Sequence, residues 1–179
     1  SGFGGATAIR LAKDGYQVFG VHLDRKQTMY RVEEVKHAIQ HVGIEPVFYN
    51  VNAAAPEKRK EVVADVRKQI PRGEYITVFL HSLAFGTLKP FIAEEREDAL
   101  NQGNMDMTLD VMAHSLVYWV QDLYWAKLLG YGSRVFAMTS YGSTHVVPYY
   151  GAVSAAKSAL ESHIRQLAME LAPAGITAN

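Results

Sequence analysis

Short runs of β-branched and aromatic residues alternate along this chain with longer segments of helical periodicity. This alternation is typical of βαβ units, in which helices connect the strands of a parallel sheet. We predict strands at Tyr16–Val21, Ile44–Val51, Tyr75–His81 and Arg134–Thr139, and a further strand that begins near Ile176. The expected fold is therefore α/β, a single domain with a doubly wound parallel sheet and helices on both faces.

The predicted helices fill the intervals between these strands. They cover about Gly5–Asp14, Thr28–His41, a segment from Pro56, Asp106–Leu129 and Gly151–Leu171. Gly15 and Gly43 follow the first two, where a left-handed C-cap favours glycine. In the third helix, a buried face is expected from Val62, Val63, Val66 and Ile70.

The composition excludes several classes of protein. With 179 residues, 49% of them hydrophobic, the chain is long enough for one domain over residues 1–179. The 18 Lys and Arg balance the 18 Asp and Glu, so neither nucleic acid nor a membrane surface is an expected partner. The absence of cysteine excludes disulfides and thiolate chemistry. Without a signal peptide or membrane-length apolar run, a cytoplasmic location is expected.

Both ends of the sequence look cut. A glycine turn at the start normally follows a strand, and the strand that begins near Ile176 has little room before Asn179. We therefore expect a partial domain that lacks its first strand and the strand and substrate loop at its C-terminal end.

A small-residue turn, made of Ser1, Gly2, Phe3 and Gly4, opens the first helix. Such a turn lets backbone N–H groups approach a pyrophosphate, although similar turns are common without a ligand. Asp24 and Arg25 follow about twenty residues later, where a ribose-binding acid is expected. Asp24 could accept from a ribose 2′-hydroxyl, Arg25 could pair with a 2′-phosphate, and the two could equally form a solvated turn. The sequence therefore leaves both NADH and NADPH as candidate cofactors.

Two segments carry a family resemblance. The Ser1–Gly4 turn is similar to the latter half of the glycine motif of short-chain dehydrogenases/reductases, and Leu171–Asn179 is similar to the segment before their final strand. The resemblance covers nearly the whole chain and implies a Rossmann-like fold that binds NADH or NADPH. It also places several residues near the cofactor: Asn50, Val51, His81, Ser82 and Leu83.

His81-Ser82-Leu83-Ala84 stands where most members of the superfamily carry Asn-Asn-Ala-Gly. It is similar instead to the His-Ser-Ile/Leu segment of the enoyl-acyl-carrier-protein reductase branch. A simpler interpretation of His81 is a half-buried histidine bonded to backbone at a strand end.

Tyr150 and Lys157 are the candidate catalytic pair. Hydride reduction needs a proton or hydrogen-bond donor where negative charge develops on oxygen, and a nearby lysine stabilises that charge. Six residues separate the two, just under two helical turns, so both can lie near one face of a helix. In most of the superfamily three residues separate them, which would place the lysine at Val153. The six-residue gap resembles the enoyl reductase branch, and Lys157 would also bind the nicotinamide ribose.

Other residues complete the implied site. Tyr141 stands nine positions before Tyr150, where enoyl reductases have a second tyrosine, although the loop is one residue shorter here. Ser140 and Ser143 are alternative hydroxyl donors. The asparagine usual in carbonyl-reducing members falls near Met112. If the match to the family's motif were offset by one residue, Tyr149 would take the place of Tyr150 as the catalytic tyrosine.

His37 and His41 have the spacing of metal ligands but lack a third ligand, and no metal is expected. The fourth helix carries more large apolar residues than one core face can accommodate. They are Leu116, Tyr118, Trp119, Leu123, Tyr124 and Trp125. The resemblance implies that this surplus forms a homo-oligomer, either a dimer or a tetramer.

The resemblance also favours reduction of a trans-2-enoyl thioester, a small molecule that acyl carrier protein could carry. Reduction of a 3-ketoacyl or other carbonyl substrate, and non-catalytic sensing of the dinucleotide ratio, remain as alternatives.

Overall fold

The computed structural model describes residues 2–179 and divides into two compact units, one that ends at Val66 and one from Arg67 to Asn179. The helices are α1 Gly2–Lys13, α2 Met29–Gln40, α3 Pro56–Gln69, α4 Gln102–Leu109, α5 Ser115–Trp125 and α6 Gly151–Leu171. The strands are β1 Phe19–His22, β2 Val47–Asn50, β3 Val78–His81, β4 Arg134–Ala137 and β5 Thr177–Ala178. The α/β class is confirmed, and a single domain over residues 1–179 stays a prediction.

The first unit contains a parallel pair of strands. Phe19 of β1 pairs with Val47 of β2 and His22 pairs with Asn50, so both strands end at the same edge. The core of this unit includes Ala12, Val18 and Ile39. Gly15 and Gly43 have φ angles of 87° and 84°, which confirms left-handed ends for α1 and α2.

The second unit contains a parallel sheet in the order β3-β4-β5. His81 at the end of β3 pairs with Ala137 at the end of β4, and Val135 pairs with Ala178. The core of this unit includes Leu116, Val120, Leu128, Val135, Ala156, Leu160 and Ile176. No helix formed by residues 2–179 is long and apolar enough to cross a membrane.

Three predicted strands are shorter than expected at their N-terminal ends. The amide of Tyr16 donates to Leu11 of α1, so this residue belongs to the end of the helix and β1 begins only at Phe19. Pro46 has no N–H to donate, and β2 begins at Val47. The amide of Ile76 donates to Leu128, outside the sheet, and β3 begins at Val78.

The ends of β4 and of two helices also differ from the prediction. The strand predicted to reach Thr139 ends at Ala137. The first helix begins at Gly2 rather than Gly5, so the glycine turn forms the first helical turn. Ile70 lies beyond the end of α3 and is half-buried, whereas Val62, Val63 and Val66 are buried as predicted.

The helix predicted over Asp106–Leu129 is interrupted by a π-helical turn at Asp110–His114, and the whole segment begins and ends earlier. It begins after Asn101, whose side chain and that of Asn104 each bond the other's backbone N–H in a capping box. Its end is set by Lys127, which has a φ of 57° and cannot continue a helix.

The six large apolar residues of α5 divide between core and surface. Leu116, Trp119 and Leu123 are buried, whereas Tyr118, Tyr124 and Trp125 are exposed.

Leu160 tests the core of the second unit. Its side chain on α6 is fully buried, so Leu160→Ala is expected to lower the free energy of unfolding by about 2–5 kcal/mol, because the cavity cannot collapse completely. Met169 on the same helix is 64% exposed, and Met169→Ala is expected to change it by less than about 1 kcal/mol. Urea denaturation measures both, and equal losses would contradict this assignment of the core.

Candidate active site

In the first unit, the predicted pyrophosphate turn is the first turn of α1. Gly2 has a φ of 69°, Phe3 is 75% exposed and Gly4 is half-buried. Backbone N–H groups in the first turn of a helix have no acceptor within the helix, and they suit an anionic group. Ser1 lies outside the described residues.

The strand ends of this unit are joined by Asp24 and Asn50. The backbone N–H of Asp24 donates to the Asn50 side-chain oxygen at 3.0 Å, and the Asn50 amide donates to the Asp24 carbonyl at 3.0 Å. This reciprocal bond gives Asn50 a structural role that the sequence analysis missed. Val51 also contributes to this edge, because its N–H donates to the His22 carbonyl.

The Asp24 carboxylate lies 3.1 Å from the His22 ring. Hydrogen bonding by the Thr28 hydroxyl, with a smaller contribution from His22, holds the pKa of Asp24 below its usual value. The side chain therefore stays ionised at neutral pH and retains lone pairs for a further donor. Arg25 is exposed beside it.

In the second unit, Tyr150 stands immediately before α6 with its ring half-buried. Its hydroxyl lies 3.1 Å from the Ser140 hydroxyl, in the segment that follows β4. A Cβ placed on Gly142 would lie 2.5 Å from two carbons of the Tyr150 ring. The absence of a side chain at Gly142 therefore allows the ring to reach Ser140.

Two serines of α6 hold this segment against the helix. The Ser154 hydroxyl donates to the Gly142 carbonyl at 2.5 Å, and the Ser158 hydroxyl donates to the Ser143 carbonyl at 2.8 Å. Neither serine was predicted as a site residue, although their four-residue spacing places them on one face of the helix.

Lys157 lies on α6 with only 4% of its surface exposed. Its ammonium donates to the Met138 carbonyl at 2.7 Å and more weakly to the Leu83 carbonyl at 3.4 Å. Burial lowers the pKa of Lys157. The segment after β4 therefore anchors both members of the predicted pair, Lys157 through Met138 and Tyr150 through Ser140.

His81 is 3% exposed and bonds the Ser115 hydroxyl through Nε2 at 2.8 Å. The simpler interpretation of His81, a half-buried histidine bonded to backbone, is wrong, because the ring is fully buried and its partner is a side chain. Ser82 and Leu83 follow it in half-buried positions.

The remaining predicted site residues differ in their exposure. Tyr141 is 70% exposed, and its ring stacks on His145 with 3.7 Å between centroids. Tyr149 is 63% exposed, whereas Tyr150 is half-buried and its hydroxyl lies 3.1 Å from that of Ser140. Met112 is buried in the π-helical turn and supplies no polar group.

His37 and His41 are both exposed. Within residues 2–179, no three His, Asp or Glu side chains are grouped as metal ligands.

Gly142→Ala tests the close approach at Tyr150. The new methyl group would overlap the ring and displace its hydroxyl. We therefore expect kcat to fall at least about tenfold, because a displacement of about 1 Å at a reacting group can lower a rate by more than this. At Gly103 in α4, a Cβ would meet its nearest atom at 3.5 Å, and Gly103→Ala should leave kcat unchanged. Steady-state assays compare the two variants, and equal rates would contradict the steric role of Gly142.

The known proteins to which this chain is similar are reductases and dehydrogenases. The family model described as enoyl-(acyl carrier protein) reductase matches residues 1–179. The NADH-dependent enoyl-[acyl-carrier-protein] reductase of Rickettsia bellii is 26% identical over 147 residues, which cover 82% of this chain and 53% of that protein. The 1-cyclohexenylcarbonyl-CoA reductase of Streptomyces collinus is 43% identical over 53 residues, 30% of this chain and 19% of that protein.

Among solved structures, a short-chain dehydrogenase from Burkholderia cenocepacia in complex with NADP superposes with a TM-score of 0.79. It is 26% identical, and the match covers 98% of this chain and 66% of that one. The chain spans about half the length of the Rickettsia relative.

Proposed function

The chain belongs to the enoyl-(acyl carrier protein) reductase family of the short-chain dehydrogenases/reductases, and we propose that it reduces a trans-2-enoyl thioester with a nicotinamide dinucleotide. The observation that carries this proposal is the arrangement of Tyr150 and Lys157. Six residues lie between them, and both are anchored to the segment after β4. Tyr150 is anchored by its hydroxyl and Lys157 by its buried ammonium.

The residues of each unit fit parts of such a cofactor. In the first unit, the N–H groups at Gly2, Phe3 and Gly4 suit the pyrophosphate, and Asp24 suits a ribose hydroxyl. In the second unit, Lys157 is suited to bind the nicotinamide ribose, and Ser82 and Leu83 are suited to line the nicotinamide ring. When bound, the reduced cofactor supplies the hydride that goes to the β-carbon of the enoyl group.

The protein's own groups act on the thioester oxygen. The Tyr150 hydroxyl donates a hydrogen bond to this oxygen as negative charge develops there, and Ser140 orients the hydroxyl. The Lys157 ammonium stabilises the same charge from a buried position, where solvent screens it little. A proton from solvent water then adds to the α-carbon of the enolate and completes the saturated thioester. We propose that Tyr141, whose side chain is exposed, contacts the substrate and does not transfer the proton.

We propose NADH as the preferred cofactor. The ionised carboxylate of Asp24 accepts well from a free 2′-hydroxyl and repels a 2′-phosphate. The exposed Arg25 is the residue that would favour NADPH instead.

The proposed setting is cytoplasmic fatty acid synthesis, with the acyl group carried as a thioester on acyl carrier protein. The exposed side chains of Tyr118, Tyr124 and Trp125 on α5 support a homo-oligomer, a dimer or tetramer, in which they would be covered.

The deciding experiment compares crotonyl and acetoacetyl thioesters, each with NADH and with NADPH, by the loss of nicotinamide absorbance. Turnover of the crotonyl substrate with NADH is expected. Turnover of the acetoacetyl substrate alone would identify a carbonyl reductase and overturn the proposal. Binding of NADH without turnover of either thioester would favour a dinucleotide sensor.

A further inference from the structure

A buried polar pair stands beside Lys157. His81 ends β3 with its Nε2 2.8 Å from the Ser115 hydroxyl, and this hydroxyl donates to the Val111 carbonyl at 2.7 Å. The other ring nitrogen of His81, Nδ1, is buried and has no hydrogen-bond partner among residues 2–179. A buried polar atom left in this state is costly, so a partner for Nδ1 is expected.

The bonds of Ser115 determine which His81 nitrogen carries the proton. A carbonyl oxygen only accepts, so the single hydroxyl proton of Ser115 goes to Val111, and Nε2 of His81 must donate to Ser115. Burial, with a smaller contribution from the charge of Lys157, lowers the pKa of His81 to about 4. The ring is therefore neutral at physiological pH, and Nδ1 is an acceptor that needs a donor.

Lys157 is the charged donor that acts on His81, because its charge contributes to the lowered pKa of the ring. Met138 joins the two residues, because its N–H donates to the His81 carbonyl at 2.9 Å and its own carbonyl accepts from the Lys157 ammonium at 2.7 Å. The contact of the ammonium with the Leu83 carbonyl is long, at 3.4 Å, and contributes little. An ammonium has three N–H donors, so one remains for a further acceptor besides the nicotinamide ribose proposed above.

We propose that His81 and Ser115 are positioning residues for Lys157, linked to it by a water that accepts from the ammonium and donates to Nδ1 of His81. This inference rests on the catalytic role proposed above for Lys157. The pair contacts neither the substrate nor the reacting atoms. It holds the ammonium in place and stabilises its charge against the effect of burial.

Two substitutions separate the two nitrogens of His81. Glutamine in His81→Gln carries a donor near the position of Nε2 and retains the bond to Ser115, but it provides no acceptor at the position of Nδ1. Asparagine in His81→Asn carries its oxygen near the position of Nδ1. Only His81→Gln should therefore remove the link to Lys157.

The pH profile of kcat distinguishes these variants. In His81→Gln the ammonium loses an acceptor and its pKa falls further, so the alkaline limb is expected to move about one unit to lower pH. In His81→Asn the limb should stay near its wild-type position. An alkaline limb that keeps its wild-type position in His81→Gln would overturn the proposal, and so would equal shifts of the limb in both variants.

Other titrating groups of this unit are common to both variants. They include Tyr150, Glu161, which bonds the Thr139 hydroxyl, and His114, which bonds His163. Their contribution to the profile is therefore the same. His37→Gln removes an exposed histidine and controls for the loss of an imidazole.

A spectrum of ¹⁵N-labelled histidine tests the pair without turnover. The His81 signal, identified by its loss in His81→Gln, should report a neutral ring protonated at Nε2 with a hydrogen-bonded Nδ1. A proton on Nδ1 would overturn the pair whatever the activity. Failure of the wild-type protein to reduce crotonyl thioester would instead overturn the proposed function and leave this spectrum to decide the pair.

Discussion

Tyr150→Phe is expected to lower kcat for the reduction of a trans-2-enoyl thioester by about 10²–10³-fold, the usual cost of removing one hydrogen-bond donor to a developing oxyanion. Phenylalanine retains the ring that packs against Gly142 and removes only the hydroxyl that bonds Ser140. Folding and NADH affinity should therefore be little changed. Steady-state kinetics and fluorescence titration with NADH measure these quantities.

Tyr149→Phe is the matched control, because it removes the same hydroxyl from the neighbouring residue, whose side chain is 63% exposed. Its kcat should stay within about twofold of the wild-type value, since surface substitutions away from the site cost little. A large loss in Tyr149→Phe with a small loss in Tyr150→Phe would mean that the alignment is wrong by one residue. Equal small losses would mean that neither hydroxyl takes part in the reaction.

Lys157→Met should lower kcat by about 10²–10³-fold, the usual cost of removing one electrostatic stabiliser of the transition state. Methionine fills most of the volume of the lysine, so the packing of α6 is retained. Because this ammonium is also proposed to bind the nicotinamide ribose, the affinity for NADH should fall as well. A simultaneous loss of both properties distinguishes Lys157 from Tyr150, for which only kcat should fall.

The stability of Lys157→Met separates catalysis from folding. Burial lowers the pKa of Lys157 from 10.5, so below the lowered pKa the folded state carries an unfavourably buried charge. Wild-type stability should therefore rise as the pH increases from this lowered pKa towards 10.5, and the methionine variant should lack that rise. Urea denaturation at several pH values measures the difference. A methionine variant that unfolds at neutral pH would assign Lys157 a structural role instead.

Much of the fold could be predicted because local chemistry determines it. Every predicted strand overlaps an observed one, since β-branched and aromatic runs suit a pleated sheet, and Gly15 and Gly43 stand at helix ends that require positive φ angles. The errors arose where distant bonds override local preference. The amide of Ile76 bonds Leu128, far along the chain, which excludes this residue from β3, and no local pattern reveals that bond.

The residue types and spacing of Tyr150 and Lys157 were sufficient to identify them as a pair, because a helix places residues seven positions apart near one face. Folding alone determined their partners. Ser140 reaches the Tyr150 hydroxyl only because Gly142 has no side chain, and Lys157 is bonded by carbonyls of two separate strand ends. The burial of His81 against Ser115, 34 residues away, likewise depends on packing between elements, which the order of residues along the chain does not encode locally.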